Sequence, residues 1–194
     1  MLVLGSNSPR RKEILEFFSI PFTQASSQFD EDLIPFHQNP DQFAKTIARS
    51  KGHALLHQFP NQIILTADTI VTLNGKYFGK PKNTEDAIEM LSFLSGKEHF
   101  VYTALCVIHK NQEFTGIEKS LVELHQLSQD QIVNYIKTIP SFDKAGGYAI
   151  QKCGSLIVKR IEGCYYNIMG LPIQTLQQLL LQVGIDLWHY IKTV

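Results

Sequence analysis

The stretch from Ile63 to Leu73, followed at once by Asn74-Gly75, constrains the fold of this chain more than any other. Its aliphatic and β-branched residues suit a strand, and Asn-Gly suits a two-residue hairpin in which both turn positions take positive φ. The reading is a buried strand that turns back into Tyr77-Phe78. Alternation sets Ile63, Leu65, Ala67, Thr69 and Val71 on one face and Ile64, Thr66, Asp68, Ile70 and Thr72 on the other. Asp68 then shares a face with apolar neighbours. A half-buried carboxylate is costly unless paired or bound to a metal, and the apolar run continues past it. That favours a functional aspartate over a satisfied residue at a strand end.

The N-terminus supplies another strand and turn, because apolar Met1 to Leu4 precedes Gly5-Ser6-Asn7-Ser8-Pro9-Arg10-Arg11. Ser8 suits a helix N-cap, and Pro9 suits the first helical position, where its missing N–H costs nothing. Arg10 and Arg11 in the first turn oppose the helix dipole by roughly a few tenths of a kcal/mol each. An anion would reverse the sign. Free N–H groups, serine hydroxyls and two guanidinium forks on one spot suit a phosphate ester or a triphosphate. The plainer alternative is a capped helix with two solvated arginines.

Along the rest of the chain helices and strands alternate. Arg11 to Phe18 reads as a helix and Ile20 to Ser26 as a strand, leading to an acidic loop at Asp30-Glu31-Asp32. Asn39-Pro40-Asp41 opens a helix whose apolar stripe, Phe43, Ala44, Ile47, Ala48, Ala54 and Leu55, includes Lys51. Lys51 therefore points inward, either snorkelling to water or meeting a ligand. Gly79-Lys80-Pro81 offers a second lysine on tight backbone; Thr84 is expected to cap the next helix and Gly96 to follow its end. Strands are predicted at His99–Ile108 and Phe114–Leu124, then a helix opened by the capping box Ser128 to Gln131 and stopped before Pro140. Ser141 to Gln151 is a polar, glycine-containing segment in which Asp143, Lys144 and Gln151 can serve a ligand. A strand at Leu156–Ile161 and a helix from Gly170-Leu171-Pro172 to near Gly184 complete an α/β pattern, with a mixed sheet because of the hairpins.

With 194 residues, 44% of them hydrophobic, the chain buries a sizeable core. Its 18 basic and 18 acidic side chains cancel, so a general electrostatic grip on DNA or RNA is not expected and a basic site must be local, for a small anion. Cys106, Cys153 and Cys164 are odd in number and show no CxxC spacing, which suits a reducing compartment and points to the cytoplasm. No apolar run reaches membrane-spanning length. His53 and His57 lie four apart without an acidic third ligand nearby and read as surface residues. The common P-loop, nucleophile-elbow, zinc-protease and dinucleotide fingerprints are all missing. What remains is a set of cations (Arg10, Arg11, Lys51, Lys80), carboxylates (Glu31, Asp68, Asp143) and short polar groups (Ser8, Thr69, Gln151). Phosphate ester hydrolysis uses such a set, with cations on the phosphate oxygens, carboxylates on magnesium and one carboxylate accepting the proton of the attacking water.

The strings Ser6-x-Ser8-Pro9-Arg10-Arg11-x-Glu13, Glu31 with its neighbour Asp30, Ala48-Arg49-x-Lys51, Ala67-Asp68-Thr69, Gly79-Lys80-Pro81, Leu94-Ser95-Gly96, Asp143-Lys144-Ala145-Gly146 and Asn167 to Pro172 resemble, in order, the motifs of the Maf-like nucleoside triphosphate pyrophosphatases. The resemblance implies one domain over residues 1–194, with an elongated mixed sheet flanked by helices, similar to that of inosine triphosphate pyrophosphatases, and a cleft between two lobes. It implies hydrolysis of a nucleoside triphosphate, dTTP or UTP, to the monophosphate and pyrophosphate, with magnesium or manganese. Position by position it makes Asp68 the proton acceptor, and Arg10, Thr69 and Gln151 the residues that choose the base. Ser8, Arg11, Lys51 and Lys80 become phosphate ligands, and Glu31, with Asp68, a metal ligand. It implies no membrane or stable nucleic-acid partner and allows a homodimer. A nucleotide-binding regulator of septum formation, without turnover, is the alternative. The chain departs from the family pattern at Gly52, where alanine is usual, at Ala149, where glycine is usual, and at Lys152-Cys153.

Overall fold

The computed structural model describes residues 1–139 and 141–192. Pro140, expected to stop a helix, and the last two residues of the unit expected over 1–194 lie outside them. A seven-stranded sheet is ordered β2-β1-β3-β5-β6-β7 with β4 beside β3, where β1 is Leu2–Leu4, β2 Phe22–Gln24, β3 Ile63–Leu73, β4 Lys76–Phe78, β5 Glu98–His109, β6 Gln112–Leu124 and β7 Val158–Glu162. It is mixed as expected: β1 runs parallel to β2 and β3, and all other pairings are antiparallel. The helices are α1 (Pro9–Leu15), α2 (Pro40–Leu55), α3 (Thr84–Leu94), α4 (Gln129–Thr138), α5 (Tyr165–Ile168) and α6 (Ile173–Leu181).

Local rules explain most boundaries. Asn74 and Gly75 take φ of 52° and 76°, the pair of positive values that lets β3 turn directly into β4. The Ser128 box forms in both directions, with the Gln131 side chain returning to the cap backbone. The cap of α3 is Asn83 rather than Thr84: its side chain accepts from the Asp86 amide at 2.8 Å, and Thr84 becomes the first helical residue. α1 stops at Leu15, short of Phe18, because Phe18 is drawn into a bridge with Ile191. β7 starts at Val158, two residues late, because Lys152–Leu156 form a 3-10 turn.

The sheet carries two lobes. In the first, Leu2, Leu4, Leu65 and Leu105 pack under α1 and α6, while Ile64, Ala104 and Ile108 pack under α2 on the opposite face. In the second, Val71, Val101 and Val122 pack against α3 and α4. β5 and β6 run through both, each about 40 Å long at the usual rise per residue. Gly52 belongs to this packing, since a Cβ there would stand 2.8 Å from Ile108 Cδ1, so the larger neighbour fills the space an alanine methyl would use. Between the lobes the apolar row on one face of β3 is broken by Thr69, whose hydroxyl lies 3.0 Å from that of its cross-strand partner Thr103. The edge of β3 is broken at the same place. β1 pairs only with Ile63 to Leu65 and β4 only with Val71 to Leu73, so residues 66–70 have a strand on the β5 side alone.

Candidate active site

The cleft opens along that unpaired stretch of β3. It encloses about 870 Å³ and is lined by Ser8, Arg10, Arg11, Glu31, Lys51, Asp68, Thr69, Lys80, Asp143, Lys144 and Gln151, every residue expected at a site. Arg11 takes the place of the missing strand. Its guanidinium donates to Ala67 O at 3.0 Å, Ser6 Oγ at 3.0 Å, Gly170 O at 2.8 Å and Thr69 Oγ1 at 2.9 Å. Four of its five N–H groups are thereby engaged, leaving one for a ligand. Burial lowers its pKa, the Asp68 charge opposes that, and the Arg10 charge adds to it. Thr103 donates to Asn167 O at 2.8 Å, so the Thr69 hydroxyl, already accepting from Arg11, donates to Thr103. Gly5 allows β1 to approach: a Cβ there would stand 2.5 Å from Leu55 Cδ1 and 2.6 Å from Thr66 Cγ2.

Strand alternation sends Asp68 to the α2 face, where it meets Lys51. The Lys51 ammonium is 2.9 Å from Asp68 Oδ1 and 2.8 Å from Glu31 Oε1, with Lys51 and Asp68 both buried. Lys51 therefore does not snorkel; it bridges two carboxylates. The other oxygen, Asp68 Oδ2, is buried and has no hydrogen-bond partner. Glu31 stands in a 3-10 turn capped by Asp30, whose carboxylate accepts from the Asp32 amide at 3.0 Å. Burial alone would raise the Glu31 carboxyl, but the charge and hydrogen bond of Lys51, with the charges of Lys80 and Arg11, hold it below its ordinary range. Lys80 is exposed. No set of three or more His, Cys, Asp and Glu side chains that could hold a metal occurs among the described residues. The pair Glu31 and Asp68 nonetheless suits magnesium, which is commonly held by one or two protein carboxylates together with substrate phosphates, and the unpaired Oδ2 is an oxygen ready for a cation.

At the other end of the cleft Arg10 turns away from Arg11 and crosses to Asp143, its Nη1 meeting Oδ2 and its Nη2 the Asp143 carbonyl at 3.1 Å. Lys144 pairs with the second carboxylate oxygen. Burial would raise the Asp143 carboxyl, and hydrogen bonds from Lys144 and Arg10 hold it down. The 141–151 segment is tied to the rest by the Gly146 amide, which donates to Gly79 O at 3.0 Å, and by Tyr148, whose hydroxyl is 2.7 Å from His99 Nε2. Burial pushes His99 down to about 4 and Tyr148 up, so a neutral imidazole and a neutral phenol share this hydrogen bond. Gln151 is half-buried at the end of the segment, and Ser8 caps α1 with its Oγ 3.5 Å from the Arg11 amide. Tyr77 and Tyr148 line the cleft, and His99 supports Tyr148, yet the sequence singles out none of them as a site residue, because only the folded hairpin and segment bring them there.

Cations and carboxylates in one groove of a mixed α/β sheet define a cleft for a phosphorylated ligand. Residues 1–183 match the family model described as Maf-like protein, and the chain belongs to that family. It is 41% identical over 191 residues to a protein of Chlamydia caviae named dTTP/UTP pyrophosphatase, covering 98% of this chain and 97% of that one. A Chlamydia pneumoniae protein named nucleoside triphosphate pyrophosphatase is 44% identical over 191 residues, covering 97% of each. Among solved structures, the Staphylococcus aureus Ham1 protein aligns with 95% of this chain and 99% of its own at TM-score 0.45 and 15% identity.

Proposed function

We propose that the protein hydrolyses nucleoside triphosphates, dTTP and UTP foremost, to the monophosphate and pyrophosphate, with magnesium or manganese. The observation that carries this reading is the unpartnered, buried Asp68 Oδ2 beside the Lys51–Glu31 bridge. A protein that only sensed nucleotides would have no use for a carboxylate there, since it opposes a polyanion. The names of the two chlamydial relatives support the same reaction, and that of the C. caviae protein supports the same bases.

Water attacks the α-phosphorus, the bond from that phosphorus to the bridging oxygen breaks, and pyrophosphate leaves. Asp68 Oδ2 accepts the water's proton, and Lys51 holds the carboxylate in place through Oδ1. Lys80, Ser8 and the remaining Arg11 N–H bind phosphate oxygens, while Arg10, Thr69 and Gln151 face the base. Glu31 would hold the cation beside Asp68, and it would supply charge neutralisation at the phosphates. The three free thiols fit a reducing cytoplasm, and zero net charge argues against a nucleic-acid partner.

The test is product analysis on a panel of triphosphates with either metal. Pyrophosphate and monophosphate are expected from dTTP or UTP; orthophosphate alone, or no turnover on the whole panel, would overturn the reading.

A further inference from the structure

Tyr77 lines the cleft, yet neither the strand pattern nor the family motifs single it out. It stands on β4, its ring wedged against Phe36 and Phe43 with centroids 5.1 Å and 5.0 Å away. Those neighbours occupy the ring, so its polar tip is what a ligand meets. The tip lies over Gly79: Tyr77 Cε2 is 3.5 Å and the hydroxyl 3.8 Å from where a Gly79 Cβ would stand. That places the phenol over the backbone that leads into Lys80. Burial, with the charges of Asp32, Asp68 and Glu31, raises its pKa, so the hydroxyl keeps its proton at neutral pH. No hydrogen-bond partner for it exists among the described residues.

We propose that Tyr77 is a further substrate-binding residue whose hydroxyl donates to the terminal phosphates of the nucleotide, the part that departs as pyrophosphate. This rests on the pyrophosphatase reading above. A neutral donor is well suited to a place crowded with carboxylates. Another cation there would be drawn to Glu31 and Asp32, and another anion would repel the phosphates, whereas a phenol answers the phosphate oxygens without either conflict. Its place among the charges of Glu31, Asp32 and Asp68, at the acidic end of the cleft, assigns it to the phosphate tail and not to the base.

The test compares the parent with Tyr77→Phe, which keeps the ring and its packing, by calorimetric titration with inorganic pyrophosphate and with UMP, each in magnesium chloride. Pyrophosphate affinity is expected to fall about tenfold, in line with loss of a hydrogen bond to a charged group, while UMP affinity and the melting temperature stay unchanged. kcat/KM for UTP should fall by a similar factor. Equal pyrophosphate affinity in the two proteins, including no measurable binding by either, overturns the proposal. So does an equal loss of UMP affinity, which would place the hydroxyl at the other end. A parent that binds pyrophosphate more tightly than the variant but releases none from any triphosphate would instead sink the pyrophosphatase reading and leave the Tyr77 contact standing.

Discussion

The two ends of the cleft are built from similar charges on different supports. At the acidic end, Lys51 projects from the sixteen-residue α2 and Asp68 from the middle of β3, and both are buried. At the other end, Asp143 and Lys144 stand on a segment without regular structure apart from a short 3-10 turn, and the Asp143 side chain is 45% exposed. The same carboxylate-to-cation contact therefore differs in consequence. In the buried case desolvation makes each partner depend on the other, whereas in the exposed case water screens the pair. Rigid elements hold Lys51 and Asp68, and a tethered segment holds Asp143, Lys144 and Gln151.

The largest effect is expected at the acidic end. Asp68→Asn preserves shape, and its amide oxygen can still accept from Lys51, but a neutral amide cannot take the proton of water. Turnover of UTP should fall by about 10²–10⁴-fold with nucleotide binding retained. Steady-state kinetics set beside direct binding reads this out. A variant within about threefold of the parent would show that Asp68 is structural and would erase the contrast between the ends.

That contrast was unevenly legible in the sequence. The limits of β3 and the face on which Asp68 lies followed from period-2 alternation and an Asn-Gly turn, because both are local. The inward direction of Lys51 followed from helical spacing, but its two carboxylate partners did not, since they arrive from a strand and a turn distant in sequence. By local chemistry Arg10 and Arg11 are equivalent neighbours in a first turn, and only the family resemblance separates them. In the fold one crosses to Asp143 and the other fills the gap in the edge of β3, a gap that exists only because β1 and β4 pair with opposite ends of that strand. Tyr77 was readable as a hairpin residue and no more.

The support of the irregular end supplies the next effect, through His99 under Tyr148. The folded-state pKa of His99, about 4, lies below its ordinary 6.5, so between these values the unfolded chain binds the extra proton. Stability from this group is therefore complete above about pH 6.5 and declines as pH falls toward 4, by about 3 kcal/mol across the window. Urea unfolding of the parent and of His99→Gln, whose amide can still hydrogen-bond the Tyr148 hydroxyl, should show a flatter pH dependence in the variant. Matching slopes would mean that the imidazole does not titrate in this way and that the segment rests on other contacts.

The smallest effect belongs to Asp143. Asp143→Asn removes the charge facing Arg10 and Lys144 but leaves the main-chain carbonyl that Arg10 also uses, so the guanidinium stays near its position. Exposed pairs contribute about 0.2–1 kcal/mol, which corresponds to at most about fivefold in kcat/KM. With Arg10 assigned to the base in the proposed reaction, the loss should appear as weaker discrimination between UTP and CTP, with any metal requirement unchanged. Raising the salt concentration should shrink the difference between parent and variant, since screening already weakens an exposed pair. A hundredfold loss on every nucleotide, insensitive to salt, would mean that Asp143 acts on the reacting groups, and the division of the cleft into a chemical end and a selecting end would fail.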